Sequence, residues 1–247
     1  MSRLRLLLGL LLWLAPLVAT GQEGLPAVTV ETGEDGEQTW SVTLQILVLM
    51  TALTLLPALV LMMTAFTRIV IVLALLRQAM GTPQVPPNQV LIGLALFLTF
   101  FVMAPVMDRV YTESAEPYMA GEMEAEEALE SAVDPMRDFM LEQVREDDIG
   151  LFGNLAGEEE FNGPEDVPLS VLIPAFITSE LKTAFIIGFL IYVPFVVIDL
   201  VVASTLMSMG MLMLSPMLVS LPFKILLFVL VDGWSLVVST IASSFFI

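Results

Sequence analysis

A chain of 247 residues without a Cys or a His offers no thiol nucleophile, no disulfide, no Cys/His zinc site and no histidine acid–base scheme. Hydrophobic residues make up 57% and charged residues 15%, against roughly 45–50% and about 25% in a soluble domain, so its apolar surface needs lipid or neighbouring protein to cover it. The net charge of −18 is localised: 19 of the 27 acidic residues lie between Asp108 and Asp166, against only Arg109, Arg137 and Arg145, and a basic groove for nucleic acid is not on offer.

Arg3 and Arg5 precede an apolar stretch from Leu6 to Val18, and Ala19-Thr20-Gly21 supplies small residues at a cleavage position. Residues 1–21 therefore read as a signal peptide, too short for the ~20 apolar residues of a spanning helix; the alternative is a first transmembrane helix that is kept. Residues 22–41, rich in Gly and Glu, are expected to be an exposed mature N-terminus. Residues 42–107 form a first apolar hairpin. Its leading run, Val42 to Leu76, is interrupted by Pro57 and Arg68. The segment Gly81-Thr82-Pro83-Gln84-Val85-Pro86-Pro87 cannot continue a helix, and Val90 to Met107 returns. Arg68 and Arg77 are the only charges in or beside this connection, which places it in the cytoplasm and the acidic segment in the periplasm, in agreement with the leader.

Residues 108–168 are that acidic segment. Met123, Leu129, Val133, Met136, Phe139, Met140 and Val144 recur at mostly helical spacing, and Pro135 is expected to divide the segment into two helices. Neither Glu158-Glu159-Glu160 nor Asp147-Asp148 has the alternating ligands of a calcium loop, so both read as solvated acidic surface. Residues 169–247 are almost continuously apolar, with five charges (Glu180, Lys182, Asp199, Lys224 and Asp232) and prolines at 174, 194, 216 and 222 that are expected to break the helices repeatedly. Broken apolar helices with internal charges line a cavity or pack inside protein. An unpaired charge at bilayer depth costs about 2.5–3.5 kcal/mol on insertion scales, and the mixed signs allow pairing. The expected fold class is all-α: membrane-associated helical hairpins with broken helices, plus a small acidic helical segment.

The C-terminal third carries long motifs. Pro174-Ala175-Phe176-Ile177-Thr178-Ser179-Glu180-Leu181-Lys182-Thr183-Ala184-Phe185 with Gly188-Phe189-Leu190-Ile191-Tyr192, and then Pro194-Phe195-Val196-Val197-Ile198-Asp199-Leu200-Val201-Val202-Ala203-Ser204, resemble the two signatures of the FliP family of flagellar biosynthesis proteins. Leu221-Pro222-Phe223-Lys224, Phe228-Val229-Leu230-Val231-Asp232-Gly233-Trp234 and Phe66-Thr67-Arg68-Ile69-Val70 extend the resemblance, which covers roughly Val42 to Met107 and Leu169 to Phe246. Ile186 departs from it, standing where relatives commonly carry a polar or charged residue. The resemblance implies a subunit of the type III export gate of the flagellar basal body in the inner membrane. In that gate several copies, five by expectation, assemble with FliR and FliQ into a closed helical cone, with FlhB and FlhA associated. Unfolded rod, hook and filament subunits pass through. It also implies that the apolar segments are bent hairpins buried against neighbours and raised out of the bilayer plane, where hydropathy alone suggests four ordinary transmembrane helices.

Between Leu206 and Pro216, four Met residues cluster around Gly210. Met is unbranched and polarizable, so it closes around irregular shapes and moves aside again. Read without the resemblance, this is a flexible patch of core. The resemblance makes it a gasket across a pore, formed by Met211, Leu212 and Met213 with Met209 and Gly210 in support. Arg68, Glu180, Lys182, Asp199, Lys224 and Asp232 are the candidate ion-pairing residues that fix assembly geometry; the competing reading is that each pair is local and merely tolerated. No cofactor, metal or bond chemistry is implied. The rival classes are an injectisome homologue of the same gate and a secondary transporter, whose broken helices and internal charges would look similar.

Overall fold

A computed structural model describes residues 30–32, 38–40, 42–158, 161, 163–211 and 213–245. The expected signal peptide and Leu212 lie outside the described residues. The chain divides into two compact units, residues 1–57 and 58–247.

The first unit contains a two-stranded antiparallel hairpin, β1 (Val30–Thr32) and β2 (Gln38–Trp40), with Val30 opposite Trp40 and Thr32 opposite Gln38. The sequence reading assigns no strand there. The signal is short but legible: β-branched and aromatic residues flank Gly33-Glu34-Asp35-Gly36, a turn-forming composition. The unit also holds most of α1 (Val42–Met62), whose leucines at 47, 49 and 53 are exposed. Pro57 lies inside α1 instead of ending it.

All regular secondary structure among the described residues of the second unit is helical. After a short break, α2 (Phe66–Ala79) places Ile69, Val72, Leu73 and Leu76 on one buried face, the i, i+3, i+4, i+7 pattern of an amphipathic helix. α3 (Asn88–Val110) returns after the Pro-rich connection and runs through a π-helical turn (Tyr111–Ala115) into α4 (Glu116–Ala120). The acidic segment continues with α5 (Ala125–Gln143) and α6 (Glu146–Ala156). α7 (Leu169–Ser208), α8 (Pro216–Leu230) and α9 (Gly233–Ser243) complete the unit. The core lies where α2 packs along the N-terminal half of α7, with Leu172, Phe176, Ala184 and Ile187 meeting the buried face of α2. α3, α5, α6 and α8 pack around this pair.

The prolines behave differently from expectation. α5 passes through Pro135 without dividing, α7 passes through both Pro174 and Pro194, and Pro222 sits within α8. An interior proline removes one backbone hydrogen bond and crowds the preceding turn, a local cost that these helices absorb without ending. Of the prolines expected to break the C-terminal helices, only Pro216 marks a boundary: it is the first residue of α8, where the missing N–H costs nothing. The remaining C-terminal break is made without proline. Asp232 adopts a left-handed conformation (φ 49°) and α8 and α9 meet at 65°.

Among the described residues three helical stretches are long and apolar enough to cross a membrane: Leu44–Met62, Asn88–Ala120 and Leu169–Ser208; the bent pair α8–α9 is a fourth if counted as one span. The 40 residues of α7 extend about 60 Å at 1.5 Å per residue, roughly twice the ~30 Å of bilayer hydrocarbon.

The approach of α2 to α7 depends on Gly188, where an added Cβ would stand 2.2 Å from a Leu75 methyl and 3.1 Å from its Cβ. Gly188→Val is therefore expected to destabilise the unit by about 1–3 kcal/mol, with part of the loss recovered by Leu75→Ala in the same chain. Thermal unfolding of the detergent-solubilised protein measures both.

Candidate functional site

Three polar clusters hold the apolar helices together, and each is centred on a residue of α7. The first surrounds Arg68 of α2, which is 2% exposed. Its Nε donates to Glu180 Oε2 at 2.8 Å, one Nη donates to the Ser244 carbonyl (2.7 Å) and hydroxyl (3.0 Å), and the other donates to Gln143 Oε1 (3.1 Å) and to Glu180 Oε1. These contacts use all five guanidinium N–H groups. The Phe245 ring lies over the guanidinium, 3.8 Å from Cζ to the ring centre, and Gln143 also donates to the Phe245 carbonyl. One side chain therefore ties together α2, the end of α5, the N-terminal third of α7 and the chain just beyond α9. Glu180 is completely buried, so its charge depends on this partner.

The second cluster fastens α6 to α7. Asp148, in the first turn of α6 and buried, accepts from Ser179 (2.7 Å) and pairs with Lys182. Ser179 in turn accepts from the Arg145 backbone N–H at 3.0 Å. Burial pushes the Asp148 carboxyl up, but hydrogen bonds from Lys182 and Ser179 and the charges of Lys182 and Arg145 outweigh it and hold the group below its ordinary value. The carboxylate thus stays ionised in mild acid.

The third lies toward the far end of α7. Lys224 of α8 donates to Asp199 Oδ2 (2.6 Å) and to the Ala79 carbonyl (3.2 Å), and Ser220 donates to Asp199 Oδ1 (2.5 Å). The ammonium meets a carbonyl of the last turn of α2, the end of a helix that favours positive charge. This joins α2, α7 and α8.

Five of the six candidate ion-pairing residues therefore find partners inside the chain. Arg68 with Glu180, and Asp199 with Lys224, pair with one another; Lys182 pairs with Asp148, which the sequence analysis reads as solvated acidic surface but which the fold buries against α7. Asp232 differs: it is exposed, with no ion pair among the described residues, and its left-handed backbone makes the α8–α9 bend. Asp tolerates that conformation better than most side chains. Gln143, Ser244 and Phe245 were not anticipated, since their contacts with Arg68 come from 75 or more residues away and uncharged residues carry no pairing signal.

The methionine segment forms the connection between α7 and α8. Gly210 has φ 76°, its N–H donates to the Met207 carbonyl, and the Met211 N–H donates to the Leu206 carbonyl, each at 3.0 Å. This is a Schellman closure, which needs a left-handed residue after the last turn. Gly210 thus stops α7, a more specific role than the backbone freedom read from the sequence. Met209 is 72% exposed and Met213 100%; Met211 and Leu214 are also exposed. The segment is not a patch of this chain's own core.

Long apolar helices, ion pairs buried among them and a bare methionine tip define a helical membrane protein built around internal clasps. The FliP family matches residues 49–241. The flagellar biosynthetic protein FliP of Pectobacterium carotovorum subsp. carotovorum is 56% identical over 96% of this chain and 90% of its own length. Its namesakes in Cereibacter sphaeroides (58%, covering 90% of this chain and 73% of theirs) and Bacillus subtilis strain 168 (49%, covering 88% and 98%) are similar in the same way. The chain belongs to the FliP family, and is a membrane-associated component of flagellar biosynthesis and export.

The clasp is expected to behave asymmetrically. Arg68→Met alone strands a buried carboxylate and should cost about 3–5 kcal/mol, whereas Arg68→Met with Glu180→Leu should recover much of that loss. Equal destabilisation of the two variants in thermal unfolding would show that the charge pair is not what the buried site requires.

Proposed function

We propose that this protein is a core subunit of the flagellar type III export gate in the inner membrane. In this reading its own copies, five by expectation, join FliR and FliQ in a gated channel for unfolded rod, hook and filament proteins. FlhB and FlhA associate with that core, and the acidic segment faces the periplasm. The observation that carries the reading is the geometry of α7. A helix about twice as long as the hydrocarbon is thick ends in methionines that are bare in the single chain. Such a helix extends beyond lipid and is covered by neighbouring subunits, with its tip directed to where copies meet.

The mechanism follows from the softness of that tip. Copies of an apolar loop converging on an axis exclude water and ions. An arriving polypeptide pushes the loops apart, and thioether side chains repack around whatever residues pass. The Schellman closure at Gly210 leaves the flexible part confined to the segment before Pro216, so opening does not require α7 to unwind. No covalent step is assigned to the protein, and the energy for export comes from elsewhere in the apparatus. A secondary transporter would need polar groups free to meet a solute; Arg68, Glu180, Asp199 and Lys224 are instead engaged with one another.

Deleting Met211 to Met213 should leave assembly with FliR and FliQ intact while making membranes that contain the complex leak ions, read as conductance in planar bilayers. A well-assembled deletion complex with unchanged conductance would remove the proposed seal. For assembly, Lys224→Ala is expected to reduce copurification of FliR and FliQ more than Asp199→Leu combined with Lys224→Met, since only the single change leaves a carboxylate without its cation. Equal yields would remove any role for this pair in setting subunit geometry.

A further inference from the structure

The acidic segment contains a groove used by neither the ionic clusters nor the methionine tip. It opens between the end of α5, the first turns of α6 and the chain leading to α7, with a volume of about 710 Å³. Val144, Ile149, Phe161 and Val167 give it an apolar floor, while Glu142, Glu146 and Glu158 stand exposed along its rim. None of the seven described basic residues lines it. Arg145 sits between Val144 and Glu146 in sequence, yet its guanidinium reaches away to Thr183 on α7. Arg137 donates to the Glu165 and Val167 carbonyls.

Of the remaining described cations, four have acidic partners and Arg77 has a neutral one. Arg109 pairs with Glu113 and Asp138, Arg77 donates to Asn88, and Arg68, Lys182 and Lys224 hold the three clusters. That leaves Arg3 and Arg5, which the sequence assigns to a leader. A second copy of this chain therefore offers few cations to a neighbour's groove: among its described basic residues only Arg77, Arg137 and Arg145 lack an acidic partner. It brings instead another segment with 19 acidic and three basic residues. Like-charged surfaces disfavour that encounter, whereas a basic partner is drawn in over a Debye length.

We infer that this groove docks a segment of a different protein, one presenting large apolar side chains flanked by Lys or Arg. The apolar floor supplies the favourable burial, and the three carboxylates select the flanking charge and orient the segment. This goes beyond the channel reading and does not depend on it, because every described residue lining the groove belongs to one chain.

The absence of Cys from the sequence gives a clean probe. Gly150 lines the groove, and a Cβ built there meets nothing within 4 Å, so Gly150→Cys accepts a single environment-sensitive dye in the full chain in detergent. A short synthetic peptide with a central Phe-Leu pair flanked by arginines should change the dye emission saturably. Combining Glu142→Gln, Glu146→Gln and Glu158→Gln should weaken that response about tenfold and flatten its salt dependence. Ile149→Ser, which spares every carboxylate, should weaken it too, and replacing Phe-Leu by Ser-Ser in the peptide should abolish it. Equal binding of the Ser-Ser peptide would reduce the groove to a diffuse acidic surface and overturn the inference. So would a response that survives both sets of substitutions, or one produced by unlabelled copies of this chain in place of the peptide.

Discussion

The contact between Arg68 and Glu180 constrains the packing of the whole second unit. A guanidinium and a carboxylate taken out of water cost several kcal/mol each unless every donor and lone pair finds a partner. Arg68 meets that condition only when α2, α5, α7 and the chain beyond α9 arrive together, because Glu180, Gln143 and Ser244 come from three different places. Apolar helices alone would slide or rotate against each other at little cost, since one leucine face packs on another in many registers. A planar fork with five donors accepts one arrangement. The apolar contacts supply the bulk of the attraction, and the clasp selects the register.

The same logic explains why the acidic segment is not a loose appendage. Asp148 and Ser179 link α6 to α7 one residue away from Glu180, so the two clusters share a turn of helix. The surplus negative charge of the segment points outward, on residues such as Glu126, Glu127 and Glu130, which are exposed. One acidic residue is buried and neutralised while its neighbours remain hydrated, and a local fold survives despite the charge density. The segment is thus joined to α7 by a buried carboxylate and its hydrogen bonds.

Much of this was legible in the sequence, and the failures have definite causes. The apolar runs, the Pro-rich connection, the acidic segment and the residues that needed partners could all be read, because hydropathy and charge are local properties. Which partner each charge takes depends on helix registers that no local pattern encodes; Lys182 finds Asp148 across 34 positions. Prolines misled in one direction. Pro135, Pro174, Pro194 and Pro222 weaken a helix in isolation, yet the helices continue through all four, including the exposed Pro194 and Pro222, because an interior proline removes a single backbone hydrogen bond from a long helix. Asp232, counted among the paired charges, is instead placed by its backbone. The methionine tip was found by composition, but its exposure could not be, since the same residues would serve equally well inside a core.

Distance along α7 separates stiffness from softness. Glu180 and Met209 are 29 positions apart, about 44 Å along a helix. Between them Asp199, held by Lys224 and Ser220, provides a second fixed point nearer the tip. Beyond that point the described helix carries no further charged residue, and its last turn is closed by backbone hydrogen bonds and the Ser208 hydroxyl, with no ion pair. A lever anchored twice and free at one end can present a compliant surface without loosening its base. The arrangement divides the labour physically: ion pairs with strict geometry fix where the tip stands, while thioethers with little directional preference adapt to what meets it. Exchanging the two would fail, because a tip of charged pairs would hold water and resist repacking, and a base of methionines would fix no register.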